Sequence, residues 1–212
     1  MIETKEVPLS DLGKFLKQLP PLDLELGPVV AGGAARRAWY DQDWRSADVD
    51  VFFRDDNQRR RWKREFETAI GLHNNPKEVT FEIQINLSGD SGHSHLSIST
   101  DNADTYQVWY QGKSIKVQLI KTRYSENLLN LWNDFDFDAS CFATDGQTLA
   151  ATPSALASVA NRKLTVKNSA ESRNLTLRVL KYNIYGFEAS NELLLQAADS
   201  LINGEFNWQT NY

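Results

Sequence analysis

A chain of 212 residues, 41% hydrophobic and 24% charged, is long and apolar enough for one large domain or for a core with a small lobe. Its net charge of −5 offers no overall basic field for nucleic acid, and its one cysteine, Cys141, excludes an internal disulfide framework and fits a reducing, cytoplasmic setting. No run approaches the ~18 apolar residues of a membrane span, and Met1-Ile2-Glu3-Thr4-Lys5 does not open a signal peptide.

Leu9, Leu12, Phe15 and Leu16 recur at helical spacing in residues 8–18, with Ser10 as N-cap, and Pro20-Pro21 ends that helix. Residues 28–31 read as a buried strand, Gly32-Gly33 as a turn, and residues 34–43 as a helix with Trp39 and Tyr40 beneath it. A second strand follows in Ala47-Asp48-Val49-Asp50-Val51-Phe52-Phe53. Strand residues at i and i+2 share a face, so Asp48 and Asp50 leave one side and Val49 and Val51 the other. Two carboxylates that close repel unless a cation neutralises them, and hard divalent cations take oxygen ligands. The pair also fits the solvent face of a half-buried strand. The Gly-Gly turn favours the metal reading: glycine lets a backbone approach a ligand closely, and the N–H groups that open the next helix favour phosphate. An anion-binding turn and a metal-binding strand in one βαβ-like unit suit a nucleoside triphosphate. The lysine and hydroxyl of a Walker loop and the third glycine of a dinucleotide fingerprint are missing.

Residues 55–72 form a charged helix. Its run Arg59-Arg60-Arg61-Trp62-Lys63-Arg64 reads as a solvated face partnered by Asp56, Glu65 and Glu67, while Trp62, Phe66 and Ile70 mark the core side. Residues 79–87 alternate as a strand that carries Glu82 on its polar face. His93 and His95 read as a loop pair, with no cysteine or third histidine to complete a metal site. Residues 96–100, 105–110 and 114–122 continue an antiparallel region, with Gln111-Gly112-Lys113 as a hairpin turn, and residues 125–132 are helical. Residues 133–144 read as a strand entered through Asp134, Asp136 and Asp138, turned by Asp145-Gly146, with Asp136 and Asp138 on one face. The remainder is helical: residues 153–161 behind the capping Thr152, a helix that carries Arg178, Lys181, Tyr182 and Tyr185, and residues 192–202. The tail carries Phe206, Trp208 and Tyr212.

Val30-Ala31-Gly32-Gly33, a spacer of about fourteen residues, and Asp48-Val49-Asp50-Val51 resemble the nucleotidyltransferase superfamily of DNA polymerase beta, whose pattern is an apolar strand, Gly-Gly or Gly-Ser, and Asp-x-Asp between apolar residues. Gly32-Gly33-Ala34-Ala35-Arg36 also resembles the Gly-Gly-x-x-Arg-Asp start of tRNA nucleotidyltransferases, departing at Arg37, where that group has aspartate. Phe135-Asp136-Phe137 and Arg178-x-x-Lys181-Tyr182 look like phage and viral members.

The resemblance implies an α+β fold: a mixed, largely antiparallel sheet flanked by helices over residues 1–150, and a small helical lobe over residues 151–212. It implies transfer of a nucleoside monophosphate from an NTP to a hydroxyl, with two Mg²⁺ or Mn²⁺ ions held by Asp48, Asp50 and a third acid. Asp136 is the first choice for that acid, Asp138 the second and Glu82 the other contender. Gly32, Gly33, Arg36 and Lys181 would meet the phosphates and Tyr182 the base. The acceptor stays open among an RNA 3′ end such as that of tRNA, a protein and a small molecule. The expected setting is the cytoplasm, the host's if the chain is phage-encoded. The rival reading is a binding module of the same fold without the chemistry.

Overall fold

The computed structural model describes residues 2–6, 11–71, 94–167 and 175–203. In chain order the elements are β1 (Glu3–Glu6), α1 (Asp11–Leu16), β2 (Val29–Ala31), α2 (Gly33–Trp39), β3 (Val49–Phe53), α3 (Asp56–Ala69), β4 (His95–Ser99), β5 (Ala103–Tyr110), β6 (Lys113–Tyr124), α4 (Leu128–Asn133), β7 (Phe142–Thr144), β8 (Thr148–Ala151), α5 (Pro153–Ala160), β9 (Lys163–Leu164), α6 (Leu175–Ile184), β10 (Glu188–Ala189) and α7 (Asn191–Asn203). One eight-stranded sheet runs β1-β8-β7-β2-β3-β6-β5-β4. Within it β3 and β6 pair in parallel and the other neighbours are antiparallel. This is the mixed, largely antiparallel α+β architecture expected. Among the described residues no helix is long and apolar enough to cross a membrane.

Local chemistry accounts for the boundaries. Asp55 caps α3, its side chain accepting from the Gln58 N–H at 2.7 Å. Thr152 caps α5 through the Ala155 N–H at 3.1 Å, with Pro153 in the first turn, where its missing N–H costs nothing. β5 and β6 join through Gln111-Gly112, both at positive φ (49° and 73°), the backbone of a two-residue hairpin turn. The apolar stripe of α3 is buried as its spacing predicts: Trp62 is 4%, Phe66 0% and Ile70 2% exposed. Trp62 stacks on Phe66 and meets Phe53 edge-on, which ties α3 to β3. Phe15 of α1 packs on Trp44 and Tyr110. A second apolar cluster gathers Phe137, Leu164, Leu175, Val179, Phe187 and Leu193 around α6 and α7.

Two expectations are corrected. Residues 133–144 are not one strand: Asp138–Ser140 forms a 3-10 turn, and β7 starts only at Phe142. The apolar alternation there serves two cores, with Phe135 in the main one and Phe137 in the second. Asp136 and Asp138 therefore do not share a strand face. The β2–α2–β3 unit is also no parallel crossover, because β2 and β3 are antiparallel neighbours with Ala31 opposite Asp50. That pairing brings the Gly-Gly turn, at the end of β2, beside the aspartates, at the start of β3. Expectations for residues 7–10, 72–93, 168–174 and 204–212, including Ser10, Glu82, His93 and the aromatic tail, lie outside the described residues.

Candidate active site

The site forms where β3 enters the sheet between β2 and β6. The parallel register sets Asp50 against Gln118 and Val49 against Val117, so Asp48 falls level with Lys116. Lys116 Nζ donates to Asp48 Oδ2 at 3.1 Å. Gln118 is held in turn by donating to Thr105 Oγ1 at 3.1 Å, which makes a polar strip across β3, β6 and β5.

Asp50 is provided for differently. Its Oδ1 is shut away from solvent with no hydrogen-bond partner among the described residues. Burial pushes its carboxyl up to about 7, and the Asp48 charge adds to the push; Lys181, Lys116 and Arg178 pull the other way. Gly32, at φ 89°, lies alongside, and a Cβ there would stand 3.9 Å from Asp50 Oδ2. An orphaned carboxylate oxygen beside a second carboxylate calls for positive charge. The pair fits a hard divalent cation that takes oxygen ligands.

The other expected residues take several positions. Asp136, its side chain 7% exposed, is ion-paired with Arg178 of α6. Asp138 accepts from Ser154 Oγ at 3.0 Å, at the start of α5, and is not joined to the Asp48–Asp50 pair. Among the described residues no group of three or more His, Cys, Asp or Glu side chains stands close enough to hold one metal ion. The Gly32 N–H donates to the Phe142 carbonyl at 2.9 Å and so is already committed, while Gly33 opens α2. Arg36 is 7% exposed, its guanidinium 5.2, 5.7 and 5.4 Å from the ring centres of Tyr182, Tyr185 and Phe187. It packs α2 against α6 and the segment after it. Tyr182 bonds Ser140 through its hydroxyl and meets Phe137 and Phe187 edge-on, which makes it a packing residue. Lys181 is exposed on α6, and its charge bears on Asp50.

Lys116 and Arg178 are the residues that reading the sequence did not assign. Lys116 had a signal, since it alternates with Val117 and Leu119 as a polar-face residue of its strand. Its partner, 68 residues earlier, depends on which strands are neighbours. Arg178 lies three residues before Lys181, on the same helical face.

The family described as "Gad2: Gabija anti-defense 2 family protein" matches residues 10–162. No curated protein matches the chain. Among solved structures it is similar to "Thermotoga maritima CCA-adding enzyme complexed with tRNA_CCA", with a TM-score of 0.54 and 13% identity over 94% of this chain and 46% of that one. It is similar to a tRNA nucleotidyltransferase "complexed with a primer tRNA and an incoming ATP analog", with a TM-score of 0.54 and 14% identity over 91% and 50%. A CCA-adding enzyme with CTP gives 0.50 and 12% identity over 92% and 40%. The chain thus spans half or less of the length of these structures. At such identities the likeness is one of fold, and the fold is nucleotidyltransferase-like.

Proposed function

The chain belongs to the Gabija anti-defense 2 family, and from that premise we propose that it is a metal-dependent nucleotidyltransferase. In this reading it moves a nucleoside monophosphate from an NTP onto a hydroxyl acceptor, releases pyrophosphate, and serves an anti-defense role through that transfer. The observation that carries the reading is the Asp48–Asp50 pair, with its orphaned Oδ1, beside Gly32 on a nucleotidyltransferase-like fold.

Asp48 and Asp50 would hold Mg²⁺ or Mn²⁺, which supplies acidification of the acceptor hydroxyl and charge neutralisation at the phosphates. Lys116 orients Asp48 through their ion pair. The absence of a side chain at Gly32 keeps the space beside Asp50 Oδ2 open. Lys181 and Arg178 bring positive charge from α6 for the triphosphate. Shielding of Asp50 Oδ1 from solvent strengthens charge interactions there relative to water. RNA 3′ ends are the first acceptor to test, because two of the similar solved structures hold tRNA.

The test is turnover of each labelled NTP with Mg²⁺ or Mn²⁺, with and without total RNA, in the wild type and in Asp48→Asn. Label should pass to a macromolecule, and Asp48→Asn should lose at least about 100-fold in rate with its thermal unfolding little changed. Full activity in that variant would refute the assignment. One observation favours a second reading, a nucleotide-binding module without catalysis: Asp136, the leading third acid, is tied up by Arg178. Metal-dependent NTP binding with no transfer to any acceptor would select it.

A further inference from the structure

Strand β3 has two neighbours, and neither offers a further carboxylate to Asp48 and Asp50. On one side β2 is Val29-Val30-Ala31, with Ala31 opposite Asp50. On the other, β6 runs from Lys113 to Tyr124 without an aspartate or glutamate and sets Gln118 opposite Asp50. Asp104 of β5 pairs with Leu119, one residue past Gln118, so it faces the other side of the sheet, where Lys63 and Lys121 hold it. A lysine and a glutamine thus stand where an adjoining strand would supply a further acid. Lys116 Nζ bonds Asp48 Oδ2 at 3.1 Å, and its charge bears on Asp50 as well. Gln118 gives its amide N–H to Thr105 Oγ1 at 3.1 Å, and its amide oxygen has no partner among the described residues. Two divalent ions held ~3.5–4 Å apart beside that ammonium would repel it and each other, with only two carboxylates to offset the repulsion.

Resting on the nucleotidyltransferase reading, we propose that the site takes one divalent cation, with the Lys116 ammonium in place of a second ion and the Gln118 amide oxygen as a neutral ligand beside Asp50. Asp48 is shared between the ion and Lys116, whereas Asp50 belongs to the ion. An amide oxygen is a hard donor that adds no charge, so it extends the oxygen set for Mg²⁺ or Mn²⁺ where no third acid is at hand. An ammonium has donors and no open coordination position, so it neutralises and orients Asp48 without binding a hydroxyl as an ion does. Lys116 also competes with the ion for Asp48, and its removal tightens metal binding.

The measurement is Mn²⁺ binding by electron paramagnetic resonance with the full chain, alone and with one α,β-methylene NTP analogue per chain. The spectrum counts the bound ions, and two that share a carboxylate pair show spin coupling to each other. The wild type should bind one Mn²⁺ per chain, uncoupled, with and without the analogue. Lys116→Met should bind Mn²⁺ on the order of 10-fold more tightly, since a like charge and a competitor for Asp48 are gone. Lys116→Arg, which keeps the charge, should stay near the wild-type affinity, and Gln118→Met should bind Mn²⁺ more weakly. Two spin-coupled ions in the wild type, lost in Asp48→Asn, would overturn the single-ion site and leave the nucleotidyltransferase reading standing. Unchanged affinity in Lys116→Met would overturn the part given to the lysine, and unchanged affinity in Gln118→Met the part given to the amide. No Mn²⁺ binding by the wild type, even with the analogue, would overturn both the single-ion site and the reading it rests on.

Discussion

Two aspartates in the central sheet, Asp104 buried and Asp50 half-buried, meet opposite fates. Asp104 of β5, its side chain 2% exposed, is clamped by Lys121 at 2.6 Å, Lys63 at 2.8 Å and Arg59 at 3.3 Å, and accepts from Ser99 Oγ at 2.6 Å. Burial alone would raise its pKa, but the bonds from Lys121, Lys63 and Ser99 hold it down to about 2. Asp50 is raised to about 7, with Oδ1 left bare. One acid is tied into the fold, and the other lies in the candidate site. Since the folded pKa of Asp104 lies below the ordinary ~3.9, its contribution is complete above that value and fades as pH falls toward 2. Asp104→Asn should lower stability at neutral pH by about 3 kcal/mol, because three cations lose their counter-charge. It should also flatten the acid-induced loss of stability, as denaturant titrations at a series of pH values would show. Unchanged neutral stability would mean that the clamp contributes nothing. Asp48 and Asp50 were legible in the sequence because period-two alternation needs only neighbours to be read. Asp104 was not, since its cations come from α3 and β6, far along the chain.

At the level of elements, α3 and the β4–β5–β6 meander follow directly from their apolar spacing. Residues 133–144 do not, because Phe135 and Phe137 alternate like a strand while they serve separate cores. Helix α6 was readable as a helix, but its attachment was not. Arg36 sits over Tyr182, Tyr185 and Phe187, and Arg37 lies 5.4 Å from the Tyr185 ring centre. An arginine three residues past a Gly-Gly turn reads as a phosphate ligand; only the fold shows three aromatic rings around it. Each such contact is worth roughly 0.5–2 kcal/mol depending on desolvation. Arg36→Ala should therefore speed amide hydrogen exchange in α6 and lower global stability by about 2 kcal/mol. Arg36→Lys, which keeps the charge without the planar stack, should rescue only part of this. Exchange in α6 identical to the wild type would show that the cage does not hold the helix.

Across the whole molecule, the net charge of −5 gives no sign of the cations gathered at the candidate site, where the charges of Lys116, Arg178 and Lys181 bear on Asp50. The global count excluded a broadly basic protein but could not foresee that grouping, which the sheet order assembles. The second apolar cluster draws in Phe137 from before residue 150, while Ala155 from after it stays with the main core. We propose that residues 151–212 act as a helical lobe, to whose apolar cluster the preceding segment contributes Phe137.

The edge pairing of β1 with β8, Glu3 opposite Ala151, has a consequence in time. A ribosome makes β1 before β8, and at ~5–20 residues per second that partner emerges many seconds later. Until then β1 lacks the strand it pairs with among the described residues. It carries Glu3, Lys5 and Glu6, charges that keep a lone edge from pairing with other chains while it waits. Strand β1 is thus made well before the strand it pairs with, and its charges suit it to that wait.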